Sequence, residues 1–206
     1  MKRMLLFSLV LLFVFASTSL YAAEKYALGM GNVALKVDYF SFTDDIFDEV
    51  DLKDGVYVGL EAYYGLMPNL YLGLEGGWAG TSEDETISFL GEEFDVETDV
   101  TLVPVELNLK FAGEIAPSWV IGVGAGISYS WFNVDLEIDD ENADEDDWVL
   151  GGQVFAEITY KMSDQWFLGI NGKYHFTEDI ELGPEDLETD TNANNWRVGA
   201  HIGLMF

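Results

Sequence analysis

Cysteine is absent from the 206 residues, so neither a disulfide nor a thiolate metal site supports the fold. Positive charge is scarce as well, with nine Lys plus Arg against 38 Asp plus Glu. That balance excludes the basic footprint a nucleic-acid partner requires. Long apolar runs are missing with one exception. Lys2 and Arg3 precede an apolar stretch from Met4 to Ala16, and Ser17, Thr18 and Ser19 then lead to the small residues Ala22 and Ala23. This is the pattern of a secretory signal peptide, and its apolar run is shorter than the ~20 residues of a spanning helix. The expected division is a signal peptide over residues 1–22 and one domain over residues 23–206. Any crossing of a membrane by that domain must be made by strands.

What is present is alternation. From Trp196 to the end, Trp196, Val198, Ala200, Ile202, Leu204 and Phe206 share one face of a strand, opposite Arg197, Gly199, His201, Gly203 and Met205. The same period of two recurs in seven earlier segments, beginning with Val33, Leu35, Val37 and Tyr39 against Lys36 and Asp38. The acids cluster in four blocks between them, at residues 44–54, 83–99, 135–147 and 178–190, and short turns at Met67–Asn69, residues 112–118 and Met162–Gln165 make the remaining links. The expected fold is all-β: an eight-stranded antiparallel up-and-down transmembrane barrel with four long acidic loops at one end. Around Pro104 the apolar positions switch from even to odd numbers, which predicts a β-bulge at Leu102–Pro104.

A soluble ligand-binding barrel also alternates, and the aromatic residues distinguish the two. Tyr64, Phe111, Trp119, Tyr160, Trp166 and Phe206 fall at the short-turn ends of their strands, while Tyr39, Trp78, Trp131, Trp148, Phe176 and Trp196 fall at the long-loop ends. Two aromatic girdles around an aliphatic belt suit lipid headgroup levels. The other face then lines the lumen, where Lys36, Lys110, Lys161, Lys173 and Arg197 meet Asp38, Glu61, Glu75, Glu106 and Glu157. Because unpaired buried charges are costly, these ten are expected to form an ion-pair network. Tyr57, Tyr63, Tyr71, Phe155 and Phe167 are expected to pack over the glycines of the fifth strand, Gly122, Gly124 and Gly126.

Eight alternating strands, long outer loops, short turns, an export signal and a terminal aromatic together resemble the small bacterial outer-membrane barrels: the OmpA transmembrane domain, OmpX and OmpW. Arg197, Gly199, Ile202, Leu204 and Phe206 are similar to the carboxy-terminal insertion signal that the barrel assembly machinery reads. The resemblance implies a Gram-negative outer membrane, with membrane lipid, lipopolysaccharide and that machinery as partners. It implies no cofactor. A structural or surface-interaction role around a mostly plugged polar lumen is the first expectation, and a narrow pore or hydrophobic-ligand conduit of the OmpW kind is the alternative.

Two loops carry further signals. Asp139, Asp140, Asp144 and Asp146 suggest loose divalent-cation binding, but Glu145 stands where an EF-hand needs glycine, so no defined metal site is expected. Ile87 and Phe89, then Phe94, Val96 and Val100, predict a hairpin rising above the membrane, similar to the exposed strand edge of OmpX. Lipid A-modifying barrels use a histidine with serine and acid; His175 and His201 have no serine beside them in sequence, so no catalytic residue is assigned.

Overall fold

Extended strands dominate the computed structural model, which describes residues 26–44, 47, 52–89, 92–138, 141–180 and 191–206. The expected signal peptide lies outside the described residues, as do Asp139 and Asp140. The strands are β1 (Gly31–Phe42), β2 (Asp54–Met67), β3 (Leu70–Phe89), β4 (Glu92–Ala116), β5 (Trp119–Ile138), β6 (Glu141–Lys161), β7 (Trp166–Thr177), the short pair β8 (Asp179–Ile180) and β9 (Thr191–Asn192), and β10 (Asn195–Met205). Eight of them close in the order β1-β10-β7-β6-β5-β4-β3-β2, with every neighbour antiparallel, while β8 and β9 pair separately. The seam joins β1 to β10 from Asn32↔Met205 to Phe42↔Asn195. At its foot Gly31 N donates to Phe206 O at 2.9 Å and Phe206 N donates to Gly31 O at 2.8 Å, so the terminal residue completes the barrel.

Polarity is inverted relative to a water-soluble barrel. Leu35, Leu60, Leu74, Ile127 and Ile170 are exposed, whereas Lys36, Glu75, Glu106, Lys110 and Arg197 are buried. Period-two geometry puts each alternating apolar set on one side of the wall. A continuous exposed aliphatic belt would be costly in water and is favourable in hydrocarbon.

The inward face is layered. Its outer end is apolar, formed by Phe40, Phe42, Phe47, Leu52, Tyr57, Val100, Leu102, Phe132 and Val149. A charged layer follows, and the inner end is lined by Leu28, Ala34, Tyr63, Tyr71, Val120, Phe155, Phe167 and Met205. Residues 26–30 fold under the barrel, where Leu28 N donates to the Tyr71 hydroxyl at 3.0 Å and Asn32 Nδ2 donates to Leu28 O at 3.2 Å.

This layering corrects the expected bulge. β3 and β4 keep one register on both sides of Pro104, since Gly76↔Val105 and Ala79↔Leu102 belong to the same ladder. Only the pairs at Gly77 and Trp78 are missing, as expected for a proline with no N–H to donate. Val100, Leu102, Pro104 and Glu106 all face inward. The switch in apolar phase is a change in what the lumen contains, from a charged middle to an apolar outer end. The strands also run further than expected: β4 continues to Ala116, leaving a two-residue turn, and residues 141–147 belong to β6 instead of a loop.

Candidate functional site

Alternation delivers the lumen charges, and pairing register sets which of them meet. Lys36 on β1 reaches both oxygens of Glu75 on β3 at 3.2 Å and stands 3.6 Å from Glu61 Oε2 on β2. Lys173 on β7 lies 2.8 Å from Glu75 Oε2 and also bonds Glu106 on β4. Arg197 Nη1 donates to Glu106 Oε1 at 3.3 Å, while its guanidinium lies over the Tyr57 ring, 4.2 Å from the centroid. The Tyr57 hydroxyl donates to Glu75 Oε1 at 3.0 Å. Lys110 on β4 stands 3.0 Å from Glu157 Oε1 on β6 and 3.6 Å from the Tyr63 ring centroid. Charge-assisted contacts of this kind stiffen a low-dielectric interior when their members are satisfied.

Two of the ten expected members behave differently. Lys161 sits at the inner rim and pairs with Glu114, outside the lumen cluster, because its position on β6 is level with the β4–β5 turn. Asp38 accepts from Asn171 Nδ2 at 3.0 Å. Of the five expected aromatic rings, Phe155 alone covers a fifth-strand glycine. Phe155 lies against Gly124, but Glu157 lies against Gly122, and Asn108 with Gln153 lies against Gly126. Tyr57 instead covers Gly59 and Gly77, Tyr63 covers Gly73, and Phe167 covers Gly203. Tyr71 is engaged by Leu28 and Tyr26.

Sequence reasoning missed the histidine contacts, which join residues 47 and 42 positions apart in the chain. Ser128 Oγ lies 2.6 Å from His175 Nε2, and Asn195 Nδ2 lies 3.2 Å from His175 Nδ1. Arg197 Nε donates to Asn195 Oδ1 at 3.1 Å, which fixes that amide with its NH2 toward the ring. His175 Nδ1 therefore accepts, Nε2 carries the proton, and the histidine donates to Ser128. That tautomer is opposite to the one that takes a proton from a serine nucleophile. His201 Nδ1 faces Asn171 Oδ1 at 3.2 Å and its Nε2 faces Thr159 Oγ1 at 3.2 Å, so the ring has a partner at each nitrogen.

On the outer wall, Tyr39, Tyr64, Trp78, Trp119, Trp148, Tyr160, Trp166, Phe176, Trp196 and Phe206 are exposed, and Phe111 and Trp131 are half-buried. Several rings associate across strands: Tyr39 with Trp196 at 5.2 Å, Trp119 with Tyr160 at 5.0 Å, and Tyr129 stacked on Trp148 at 4.8 Å. Of the expected insertion residues, Arg197 turns inward and is fully buried, Gly199 is half-buried, and Ile202, Leu204 and Phe206 face outward. Asp144 and Asp146 are exposed on paired strand β6, where Asp146 Oδ2 accepts from Trp131 Nε1 at 3.0 Å. Among the described residues no group of three or more His, Cys, Asp or Glu is arranged to hold a metal ion.

Beyond the mouth four strands continue together. β3 pairs with β4 from Thr81↔Val100 to Phe89↔Glu92, β4 with β5 as far as Val96↔Ile138, and β5 with β6 as far as Ile138↔Glu141. Nine residues of strand at ~3.3 Å per residue correspond to about 30 Å of projecting ladder. β2 reaches only to Val56↔Gly80, and β7 only to Gly151↔Thr177. Among the described residues, the outer flank of 81–89 has no strand partner.

A closed antiparallel barrel with an aliphatic exterior and a charged interior defines a transmembrane β-barrel of the small eight-stranded class. The chain belongs to the outer membrane protein beta-barrel domain family, whose model matches residues 7–203, and its place is the bacterial outer membrane. No curated protein matches it in sequence. Among solved structures it is similar to Neisserial surface protein A (NspA) of Neisseria, with a TM-score of 0.62 at 12% identity over 86% of this chain and 98% of that one. It is also similar to the outer membrane protein OprG of Pseudomonas aeruginosa, with a TM-score of 0.50 at 14% identity over 90% and 99% of the two chains. At these identities the likeness is one of fold.

Proposed function

We propose that this outer-membrane barrel is a non-catalytic surface-interaction protein with a lumen closed by its own side chains. The projecting four-stranded sheet carries the proposal, because along residues 81–89 it extends a backbone hydrogen-bonding edge away from the membrane on a wall that is otherwise closed. Unpaired strand flanks are sites where a partner adds a strand, and backbone bonds then supply much of the affinity. Between Lys53 and Lys110 there is no lysine or arginine, nor between Lys110 and Lys161, while residues 83–99 and 135–147 are rich in Asp and Glu. A basic partner surface is the electrostatic complement. Closure is supported by the three stacked layers of buried side chains, and a non-catalytic role by the tautomer that Asn195 imposes on His175. The exposed aromatic rings are assigned to the two headgroup levels, and the outward Ile202, Leu204 and Phe206 to recognition during insertion by the assembly machinery.

The experiment joins Ser82 directly to Asp99, which are register partners, and so removes the hairpin tip. Full-length and trimmed barrels are placed in phosphatidylcholine vesicles and titrated with fluorescent oligolysine. The expected result is normal insertion of both, with salt-sensitive binding weakened at least severalfold by trimming. Equal binding by the two barrels contradicts the role given to the sheet.

A further inference from the structure

Acids and bases in the middle of the lumen do not balance. Asp38, Glu61, Glu75, Glu106 and Glu157 are buried there with Lys36, Lys110, Lys173 and Arg197, while Lys161 is taken up by Glu114 at the rim. Five carboxyls against four bases leave one negative charge in excess if every group is ionised. An unmatched charge between the apolar outer and inner layers is costly, and a buried carboxyl avoids that cost by keeping its proton.

Geometry locates the excess. Glu75 has Lys36, which reaches both of its oxygens at 3.2 Å, and Lys173 at 2.8 Å. Glu106 has Lys173 and Arg197, and Glu157 has Lys110 at 3.0 Å. Those contacts engage all four bases. Asp38 lies within electrostatic reach of both Lys36 and Arg197 and accepts from Asn171 Nδ2, so it keeps the surroundings of an anion. Glu61 has the poorest share. Its one ion-pair contact among the described residues is Lys36 at 3.6 Å, and that ammonium stands nearer to Glu75. Two further carboxyls, Glu75 on β3 and Glu157 on β6, face Glu61 within electrostatic reach, against Lys36 on β1 and Lys110 on β4.

The remaining polar neighbours leave that count unchanged. The Tyr63 hydroxyl, two residues along the inward face of β2, has no other partner and is available to Glu61, but a hydroxyl brings a hydrogen bond and no charge. His175 is held neutral, since its Nδ1 accepts from Asn195. His201 is the register partner of Lys36 across the β1–β10 seam, so a second cation there meets a like charge.

We infer that Glu61 is buried as the neutral acid, the one carboxyl of the lumen that retains its proton at neutral pH. Four carboxylates then match four bases. Folding takes up that proton, because Glu61 of the unfolded chain is ionised at neutral pH. The contribution of Glu61 to stability is therefore full below the ordinary glutamate range and is lost as pH rises, which makes the lumen base-sensitive at this residue.

The test uses the full chain refolded in detergent micelles. Infrared spectra are taken at neutral pH, where the solvent-exposed carboxyls are ionised, and urea unfolding is followed from mildly acidic to alkaline pH. The expected results are a carbonyl band of a protonated carboxylic acid that exchanges slowly in heavy water, its loss in Glu61→Gln, and a urea midpoint of Glu61→Gln that equals or exceeds that of the wild type at neutral pH. The gap should widen in favour of Glu61→Gln as pH rises. Should Glu61→Gln not refold, Glu61→Asp shifts the frequency of the band if the assignment holds and leaves it unmoved otherwise. A wild-type spectrum without the acid band overturns the inference and gives the balancing charge to His201 or leaves the layer anionic. A band that persists in Glu61→Gln assigns the proton to another carboxyl and also overturns it. A midpoint of Glu61→Gln below the wild type at neutral and alkaline pH contradicts it as well, because Glu61 then acts as the ionised partner of Lys36.

Discussion

The charged middle of the lumen and its apolar outer end occupy the same inward face of the same strands, yet they fail in different ways. In the middle, each side chain depends on specific partners: removing one base strands a carboxylate that cannot reach water. At the outer end, Phe42 stacks on Phe47 at 4.0 Å and meets Phe132 edge-on at 6.2 Å, and these three rings require no donor or acceptor. Dispersion contacts tolerate a change of shape provided volume is kept. The middle therefore specifies geometry, and the outer end tolerates repacking.

The largest expected effect comes from breaking the middle on one side. Arg197→Ala leaves Glu106 with Lys173 as its one remaining ion pair, beside the Asn108 amide, and removes the cation from the Tyr57 ring, so urea unfolding in micelles should reveal a loss of about 3–5 kcal/mol. Pairing Arg197→Met with Glu106→Gln should recover more than half of that loss, because no buried charge is then stranded. Next is Phe132→Ala at the outer end, where a fully buried ring is deleted and about 3 kcal/mol should be lost. Phe132→Leu at the same position should cost less than about 1.5 kcal/mol, and this tolerance separates the two layers. Tyr57→Phe deletes one hydrogen bond to Glu75 and should cost about 1–2 kcal/mol in the same assay. The smallest effect is a gain: Pro104→Val restores the missing donor toward β3, so hydrogen exchange at residues 103–105 should slow and stability should rise by at most about 1 kcal/mol.

The barrel was legible because its signal is carried by periodicity, and period two is insensitive to what lies beyond the strand. Closing strand β10, from Trp196 onward, could be read from alternation alone. The same rule failed at Pro104, where apolar residues change sides without any change in backbone register. Alternation reports the contrast between two faces, and above the membrane that contrast reverses: Val100 and Leu102 point into the barrel while Asp99 and Thr101 meet the outside. The lumen membership of Lys36, Lys110, Lys173 and Arg197 followed from their parity. That of Lys161 did not, since parity gives the face and says nothing of the height along the axis. Contacts such as Ser128 with His175 depend on the stagger of strands around the closed barrel, and no local pattern in a single strand records that stagger. Residues 141–147 were read as a loop from their acidity, whereas pairing with β5 from Ile138↔Glu141 onward makes them strand.

Closure of the lumen by its own side chains is tested most directly by single-channel recording of the full-length protein in planar lipid bilayers bathed in concentrated potassium chloride. The account predicts a quiet membrane after insertion, with no stable open level, because an ion would have to pass the ring cluster at Phe42, Phe47 and Phe132 and then the paired charges beneath it. A long-lived, reproducible conductance step in the unaltered protein would contradict it.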